Sequence, residues 1–515
     1  MVDICLSELE IRACYRLKMV EFIQKKWVIY SVAVLLLVAA SLALTLGFQS
    51  RAISDPDRYY HLAVSRMEAS EGRLKKLVQA EDIGWNKSFP EKEWLFHEIS
   101  SVAYRISGED GVLAIVPLIV TATILLLFLE GAALAGPQVA LGAVLACVFL
   151  CPPFLDRLIL LRPYLLAILF FLCILIAALH KWRGLAFLGS ALFTLSYHAV
   201  FVPCIVLGCC FGLGILSDPK WRYLAYWGFL GVICGILINP YFPLNLEMMF
   251  IHISIASDLK LSWFLRSGRE IYPIDSWVYL RFYLLPWVIL VSSSVLLFRN
   301  RRKIRNSEEL QKYAFLTLLS AIFLMLTFRS IRAAEYSTLC YTLLAAMFLK
   351  RLFQERHLAV GLGASVWILF EIMHLHQFYS TFLAPAPITQ NELVFEALQK
   401  LPLESKGRKI YNCDWAYGSL ILYARPDLRF VDLMDPHFLY YFAPESFLLQ
   451  RKLERGEADP FEVISGHFKA QYVLCNIPEA LRALRKDSRF KQIFPTESEN
   501  RNVSGYPPYL FVVKG

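Results

Sequence analysis

Two carboxylates spaced two residues apart, Asp55 and Asp57, straddle a proline and are followed at once by Tyr59, Tyr60 and His61. The stretch Ser54-Asp55-Pro56-Asp57-Arg58-Tyr59-Tyr60-His61-Leu62 lies just past the first long apolar segment. Pro56 disfavours helical geometry at Asp55, so the pair belongs in a turn or at a helix start. Acids held where lipid meets water could bind a cation or accept a proton. The plainer reading makes Ser54 or Asp55 a helix N-cap, with the tyrosines anchored at headgroup depth. Further on, Glu91-Lys92-Glu93-Trp94-Leu95-Phe96-His97-Glu98 repeats this chemistry. Glu93 and His97, spaced i, i+4, would share a helix face and could ligate a metal. The alternative is an amphipathic helix on the membrane, with Trp94 and Phe96 in lipid.

The elements that must position these groups are membrane helices. Of 515 residues, 57% are hydrophobic and 18% charged, against about 25% charged in soluble proteins. Apolar runs of roughly 18 residues or more, each long enough to cross the hydrocarbon, recur along the chain. The sequence predicts an α-helical polytopic membrane protein of about eleven spans. They fall near 27–47, 111–133, 137–152, 163–180, 184–197, 198–216, 223–240, 278–298, 314–331, 335–349 and 358–376. Residues 1–26 read as a cytoplasmic interfacial helix, with no cleavable signal peptide. The transmembrane part is 27–377, with a large external loop at 48–110, and a soluble domain covers 378–515.

Charge supports one orientation. With the N-terminus inside, the inner loops are Lys181-Trp-Arg183, Lys220-Trp-Arg222, Arg299 to Arg305 and Lys350 to Arg356, all basic. The net charge of +9 is thus a topological signal and does not point to nucleic acid. The expected location is a plasma (inner) membrane, N-terminus cytoplasmic and C-terminal domain extracytoplasmic. Costly polar residues then gather on the outer side: Asp55, Asp57, His61, Glu91, Glu93, His97, Glu98, Arg157, Arg162, His198, Asn239, Arg329, Arg332 and Glu335. Ionisable groups at membrane depth mark function by default, acids as base or metal ligand and arginines as phosphate forks. A salt-bridged helix end is the plainer account of Arg329, Arg332 and Glu335, and a lone His198 is ordinarily structural.

The tail alternates helical stretches (391–401, 447–456, 460–468, 478–487) with β-rich runs at 409–413, 428–433, 470–475 and 509–513, which predicts an α/β domain. Asp414, Asp432 and Asp435 lie at strand ends, where such domains form sites. It contains no nucleotide-binding glycine motif. Of 12 cysteines, only Cys413 and Cys475 fall in this tail, and their pairing is left open; most others sit in apolar segments as buried hydrophobes.

Asp55-Pro56-Asp57-Arg58-Tyr59-Tyr60-His61-Leu62 resembles the acidic motif of the GT-C membrane glycosyltransferase superfamily, notably the DPYYHL-type stretch of oligosaccharyltransferase catalytic subunits. Asn412-Cys413-Asp414-Trp415-Ala416-Tyr417-Gly418 is a blurred echo of their WWDYG motif. The closer likeness is to a bacterial multi-span GT-C branch, through DPDRYYHL, EWLFHE, LRPYL, SYHAVF, INPYF and RSIRAAEY in that order. The resemblance implies an inverting transfer of a sugar or oligosaccharide from a polyprenyl-(di)phosphate donor on the outer face. It implies Asp55 or Asp57 as catalytic residues, and substrate contacts from Tyr60, His61, Arg162, His198, Arg329 and Arg332. Asp55, Asp57, Glu91, Glu93 and His97 are the candidate ligands for a divalent cation, Mg or Mn. The tryptophans of WWDYG are not kept and no TIXE- or SVSE-like stretch occurs, so the acceptor expected is a lipid, glycan or protein hydroxyl. Rival readings are a transporter or flippase, which would show an internal repeat, and a non-catalytic assembly protein on a degenerate GT-C fold.

Overall fold

The structure, a computed structural model, describes residues 27–47, 53–266, 268–354, 390–495 and 507–514. The first ten expected spans each coincide with a helix or a bent helix pair: Trp27–Gly47, Trp94–Ala135, Pro137–Val144 with Pro152–Leu158, Tyr164–His180, Arg183–Ser196, Phe201–Leu216, Pro219–Ile238, Ser276–Arg299, Glu308–Arg329 and Ala334–Gln354. The eleventh, 358–376, and the interfacial helix at 1–26 lie outside the described residues. By length and composition alone, five described helices can cross a membrane, or up to seven if each bent pair is one span. The chain is an integral membrane protein. Large apolar side chains such as Leu35, Leu118, Ile233 and Val288 stay exposed on these helices, where hydrocarbon rather than water is their solvent.

Two features of the helical part depart from the sequence expectation. Trp94–Ala135 runs 42 residues as one element broken by non-helical geometry at Ser107 and Gly108. At 1.5 Å per residue its two parts total about 63 Å, more than a hydrocarbon core needs, and its first turns carry Phe96 and His97 into the protein. Phe96 is fully buried in protein, so it does not lie in lipid as the membrane-surface reading has it, although Ile99, Val102 and Ile106 of the same stretch stay exposed. Gly108, at φ 62°, supplies a bend that an L side chain resists. The second departure is the pair Leu244–Ser257 and Leu259–Leu265, which turns through 100° between two spans.

The basic loops collect at one end. Lys181 bonds Asp218 at 2.7 Å, Arg305 donates to the Leu216 carbonyl at 3.0 Å, and Lys350 lies 3.8 Å from Glu309. Helices leaving that end arrive at the end that holds the acids.

The tail forms a five-stranded sheet of order β2-β1-β3-β5-β4, with β1 Lys409–Asn412, β2 Arg429–Phe430, β3 Tyr472–Cys475, β4 Phe490–Phe494 and β5 Tyr509–Val513. β1 runs parallel to β2 and β3, whereas β5 is antiparallel to β3 and β4. The apolar runs of β1 and β3 are buried throughout, as expected of strands covered on both faces. A disulfide joins Cys413 to Cys475 at the ends of these two strands.

Buried apolar side chains form two cores. One lies among the membrane helices. The other fuses the tail with the first loop and the bent pair, taking in Tyr59, Trp85, Phe89, Met248, Leu265, Ile410 and Phe438. Polar bonds reinforce this junction: Gln79 Nε2 donates to the Pro426 carbonyl at 2.8 Å, and Arg451 Nη2 to the Leu265 carbonyl at 2.7 Å.

Candidate active site

Asp55 is the N-cap of the helix Pro56–Glu71, with Pro56 in its first turn. Its Oδ1 accepts the Asp57 amide at 3.4 Å, the arrangement that an Asp-Pro start favours. Arg162, just before Pro163 at the entry to Tyr164–His180, grips both acids. Its Nη2 and Nε donate to Asp55 Oδ1 and Oδ2 at 2.6 and 2.9 Å, and its Nη1 lies 2.6 Å from Asp57 Oδ2. Asp57 Oδ1 is buried without a hydrogen-bond partner among the described residues. Burial raises the Asp57 carboxyl to about 7, although Arg162 pulls the other way.

Behind this pair sits an arginine cluster around one carboxylate. Arg157, near the end of Pro152–Leu158, donates from Nε to Glu335 Oε1 at 2.7 Å and stacks over the Tyr164 ring at 4.0 Å. Its Nη1 also contacts Glu270. Arg332 Nη2 contacts the same Glu270 carboxylate, and Arg162 Nη1 reaches it at 3.4 Å. Burial alone would raise the Glu270 carboxyl, but the three guanidinium groups overcome this and hold it well below the ordinary value. Pairing of this kind is what makes buried charge tolerable.

A wall of imidazoles completes the site. His97 lies 3.1 Å from Glu91 Oε2 and 2.9 Å from the His61 ring nitrogen, so a carboxylate and two imidazoles form a chain. Glu93 pairs with His198 at 3.3 Å. The i, i+4 pairing of Glu93 with His97 is therefore not formed, because Glu93 is the N-cap residue with φ −124° and lies off the helical face. Lys92 Nζ is 2.8 Å from His252, whose ring stacks on His198 at 4.2 Å and meets His437 edge-on at 4.7 Å.

These groups enclose a cavity of about 400 Å³. Asp57, His61, Lys92, Glu93, Arg157, Arg162, His198, His252, Glu270 and Arg332 line it from the membrane half. Trp415, Met434, Asp435 and Phe438 line it from the tail. A second, mostly apolar cavity of about 280 Å³ shares Tyr197, His198, His252 and Arg332 with the first and continues past Phe323, Leu326 and Tyr336. Among the residues singled out by sequence, Asp57, His61, Glu93, Arg157, Arg162, His198 and Arg332 thus meet in one chamber. Asp55 stands behind Arg162, and Tyr60 is buried against the His61 and His97 rings. Glu91 and His97 sit behind His61, and Arg329 lines the apolar cavity and donates to the Ile271 carbonyl at 3.3 Å. Glu270 and His252 went unseen in the sequence. His252 sits in the apolar run Met248 to Ile253 and Glu270 in a mixed stretch, neither within a motif, and both are far in sequence from the groups they meet.

The donor set as it stands does not fit a resident divalent cation. Arg162 takes both Asp55 oxygens and one of Asp57, and Glu91 and Glu93 are committed to imidazoles. Among the described residues no group of three or more His, Cys, Asp or Glu is arranged to hold a metal ion.

No protein-family model matches the sequence, and no curated protein matches it either. Solved structures do resemble the fold. An Archaeoglobus fulgidus oligosaccharyltransferase tethered to an acceptor peptide containing the NVT sequon superposes with TM-score 0.59 at 11% identity, over 88% of this chain and 70% of that one. The same enzyme in complex with Zn and sulfate gives 0.60 at 12%, over 86% and 67%. ArnT from Cupriavidus metallidurans bound to undecaprenyl phosphate gives 0.57 at 15%, over 93% and 97%. The chain therefore has a GT-C-like fold, the fold it shares with these two proteins.

Proposed function

We propose that this GT-C-like chain is an inverting glycosyltransferase, moving a sugar or oligosaccharide from a polyprenyl-(di)phosphate donor to a hydroxyl acceptor on the outer face of the membrane. One observation carries the reading: Asp57 and the arginines Arg157, Arg162 and Arg332 line a single polar cavity that adjoins an apolar one. A lipid-linked sugar phosphate needs that junction of environments. Asp57, with a free carboxylate oxygen and a raised pKa, takes the proton of the acceptor hydroxyl as it attacks the anomeric carbon. The glycosidic C–O bond breaks on the opposite side, and the arginines stabilise the negative charge gathering on the departing phosphate. Asp55 holds Arg162 in place. His61, backed by the Glu91–His97 pair, His198 and Lys92 present donors and acceptors to sugar hydroxyls. Mg or Mn would require Arg162 to release Asp55 and Asp57, so the step is written without a cation.

The Cys413–Cys475 bridge supports an extracytoplasmic tail, since such bonds persist in oxidising compartments. The acceptor is a lipid, a glycan or a protein hydroxyl. The test is a deletion strain complemented with wild type, Asp55→Asn or Asp57→Asn, its polyprenyl-linked sugars and surface glycans read by mass spectrometry. Lipid-linked donor should accumulate with Asp57→Asn at normal expression. An unchanged glycan profile in both variants rejects the catalytic assignment, and loss of a solute's uptake with intact glycans would point to a carrier.

A further inference from the structure

Glu270 has an unusual position among acids of the site. It sits on the short turn Arg269–Ile271, between the helices Leu259–Leu265 and Ser276–Arg299, while the three guanidinium groups converging on it belong to other elements. Two of those arginines have carboxylates of their own: Arg157 pairs with Glu335 and Arg162 with Asp55 and Asp57. Arg332 pairs, among the described residues, with Glu270 alone, and its Nε–H is buried without an acceptor. The cluster thus holds one more anion-binding position than its other carboxylates fill, with one buried Nε–H of Arg332 left unsatisfied by Glu270. Arginine forks accept carboxylate and phosphate alike.

Location gives the second argument. Glu270 lines the polar cavity and its neighbour Ile271 lines the apolar one, so the carboxylate occupies the point where a charged group on an apolar chain would have to lie. The turn is held to the late helices by few bonds. Ser330 Oγ donates to the Glu270 carbonyl at 2.8 Å and Arg329 to the Ile271 carbonyl, while the Ile271 amide bonds only within the turn, to the Gly268 carbonyl at 3.1 Å.

We propose that Glu270 is an internal stand-in for the donor's phosphate: in the ligand-free protein its carboxylate fills the three-arginine site, and a phosphate carried on an isoprenoid chain displaces it and the turn that bears it. This rests on the polyprenyl-phosphate reading above and adds an exchange step to it. Swapping one anion for another keeps the buried charges paired, so neither state leaves the arginines bare. The exchange scales the apparent affinity of the wild-type protein down to its intrinsic value multiplied by the fraction of molecules in which the turn is open.

The experiment uses the full chain in detergent with farnesyl phosphate as probe and farnesol as its uncharged control. Glu270→Gln should tighten farnesyl phosphate binding at least tenfold by calorimetry and leave farnesol unchanged. In the wild type, hydrogen exchange at the Ile271 amide should accelerate when farnesyl phosphate is added, a measurement that needs no variant. Unchanged or weaker phosphate binding by a folded Glu270→Gln protein, or an Ile271 amide that is indifferent to or protected by the probe, overturns the stand-in and leaves the transferase reading intact. Should Glu270→Gln not fold, the exchange measurement decides alone. Failure of farnesyl phosphate to bind either protein overturns both readings together.

Discussion

Burial keeps the Asp57 carboxyl protonated up to about pH 7 even with Arg162 against it. A base must be ionised to accept a proton, so the transfer rate at limiting substrate should climb about tenfold per pH unit below 7 and level off above it. A pH–rate profile flat from 6 to 8 would remove Asp57 from that role. Glu68, buried on the same helix, is likewise raised to about 7 by burial. Its folded-state pKa exceeds the ordinary 4.5, so the proton favours folding below about 4.5 and this contribution is lost as pH rises to 7. Glu68→Gln should therefore raise the Tm more at pH 8 than at pH 5, by at most roughly 3 kcal/mol of stability, as thermal melts at the two pH values will tell. Asp55, Asp57, Arg162 and Arg332 could be picked out from sequence because charge near hydrocarbon needs a reason. Glu270 could not: in Ser-Gly-Arg-Glu-Ile-Tyr it reads as an ordinary loop acid, and only three distant arginines make it otherwise.

At the level of elements, apolar runs located ten of the helical segments, although only five described helices, or up to seven with the bent pairs, have the length and composition to cross the hydrocarbon. It could not foresee that a helix starting at Trp94 leads through a kink at Ser107 and Gly108 into a span, with Phe96 and His97 buried in protein while Ile106 stays exposed. The edge strand β4 escaped as well, its middle being the exposed pair Lys491 and Gln492. In the echo Asn412 to Gly418, Trp415 lines the polar cavity while its neighbours set the helix in place. Asp414 caps Trp415–Ala424 through the Ala416 amide at 3.0 Å, and a Cβ on Gly418 would meet the Asp432 carbonyl oxygen at 2.1 Å. Gly418→Ala should cost about 1–3 kcal/mol by forcing helix from strand, visible as a lowered Tm of the intact protein. An unchanged melt would mean that the helix has room to move.

Across the whole molecule, the meeting of Asp57 with Arg332 is a property of topology, which no window of sequence displays. The sorting of basic loops to one end was visible in advance because it follows from a charge rule that acts on each loop separately. The tail's own sheet was equally foreseeable, but its shared core with the first loop was not, since apolar surface on each piece looks like self-sufficient packing. The bridge between Cys413 and Cys475 closes a separation of 62 residues, and its removal by paired Cys→Ser substitution should cost roughly 4 kcal/mol by chain entropy; melts under non-reducing conditions measure it. Trp415, Met434, Asp435 and Phe438 come from the tail, whereas the ion network comes from the helices. On the transferase reading proposed above, substitutions at these four tail positions would change which molecule is preferred while the ion network of the helices keeps its pairs.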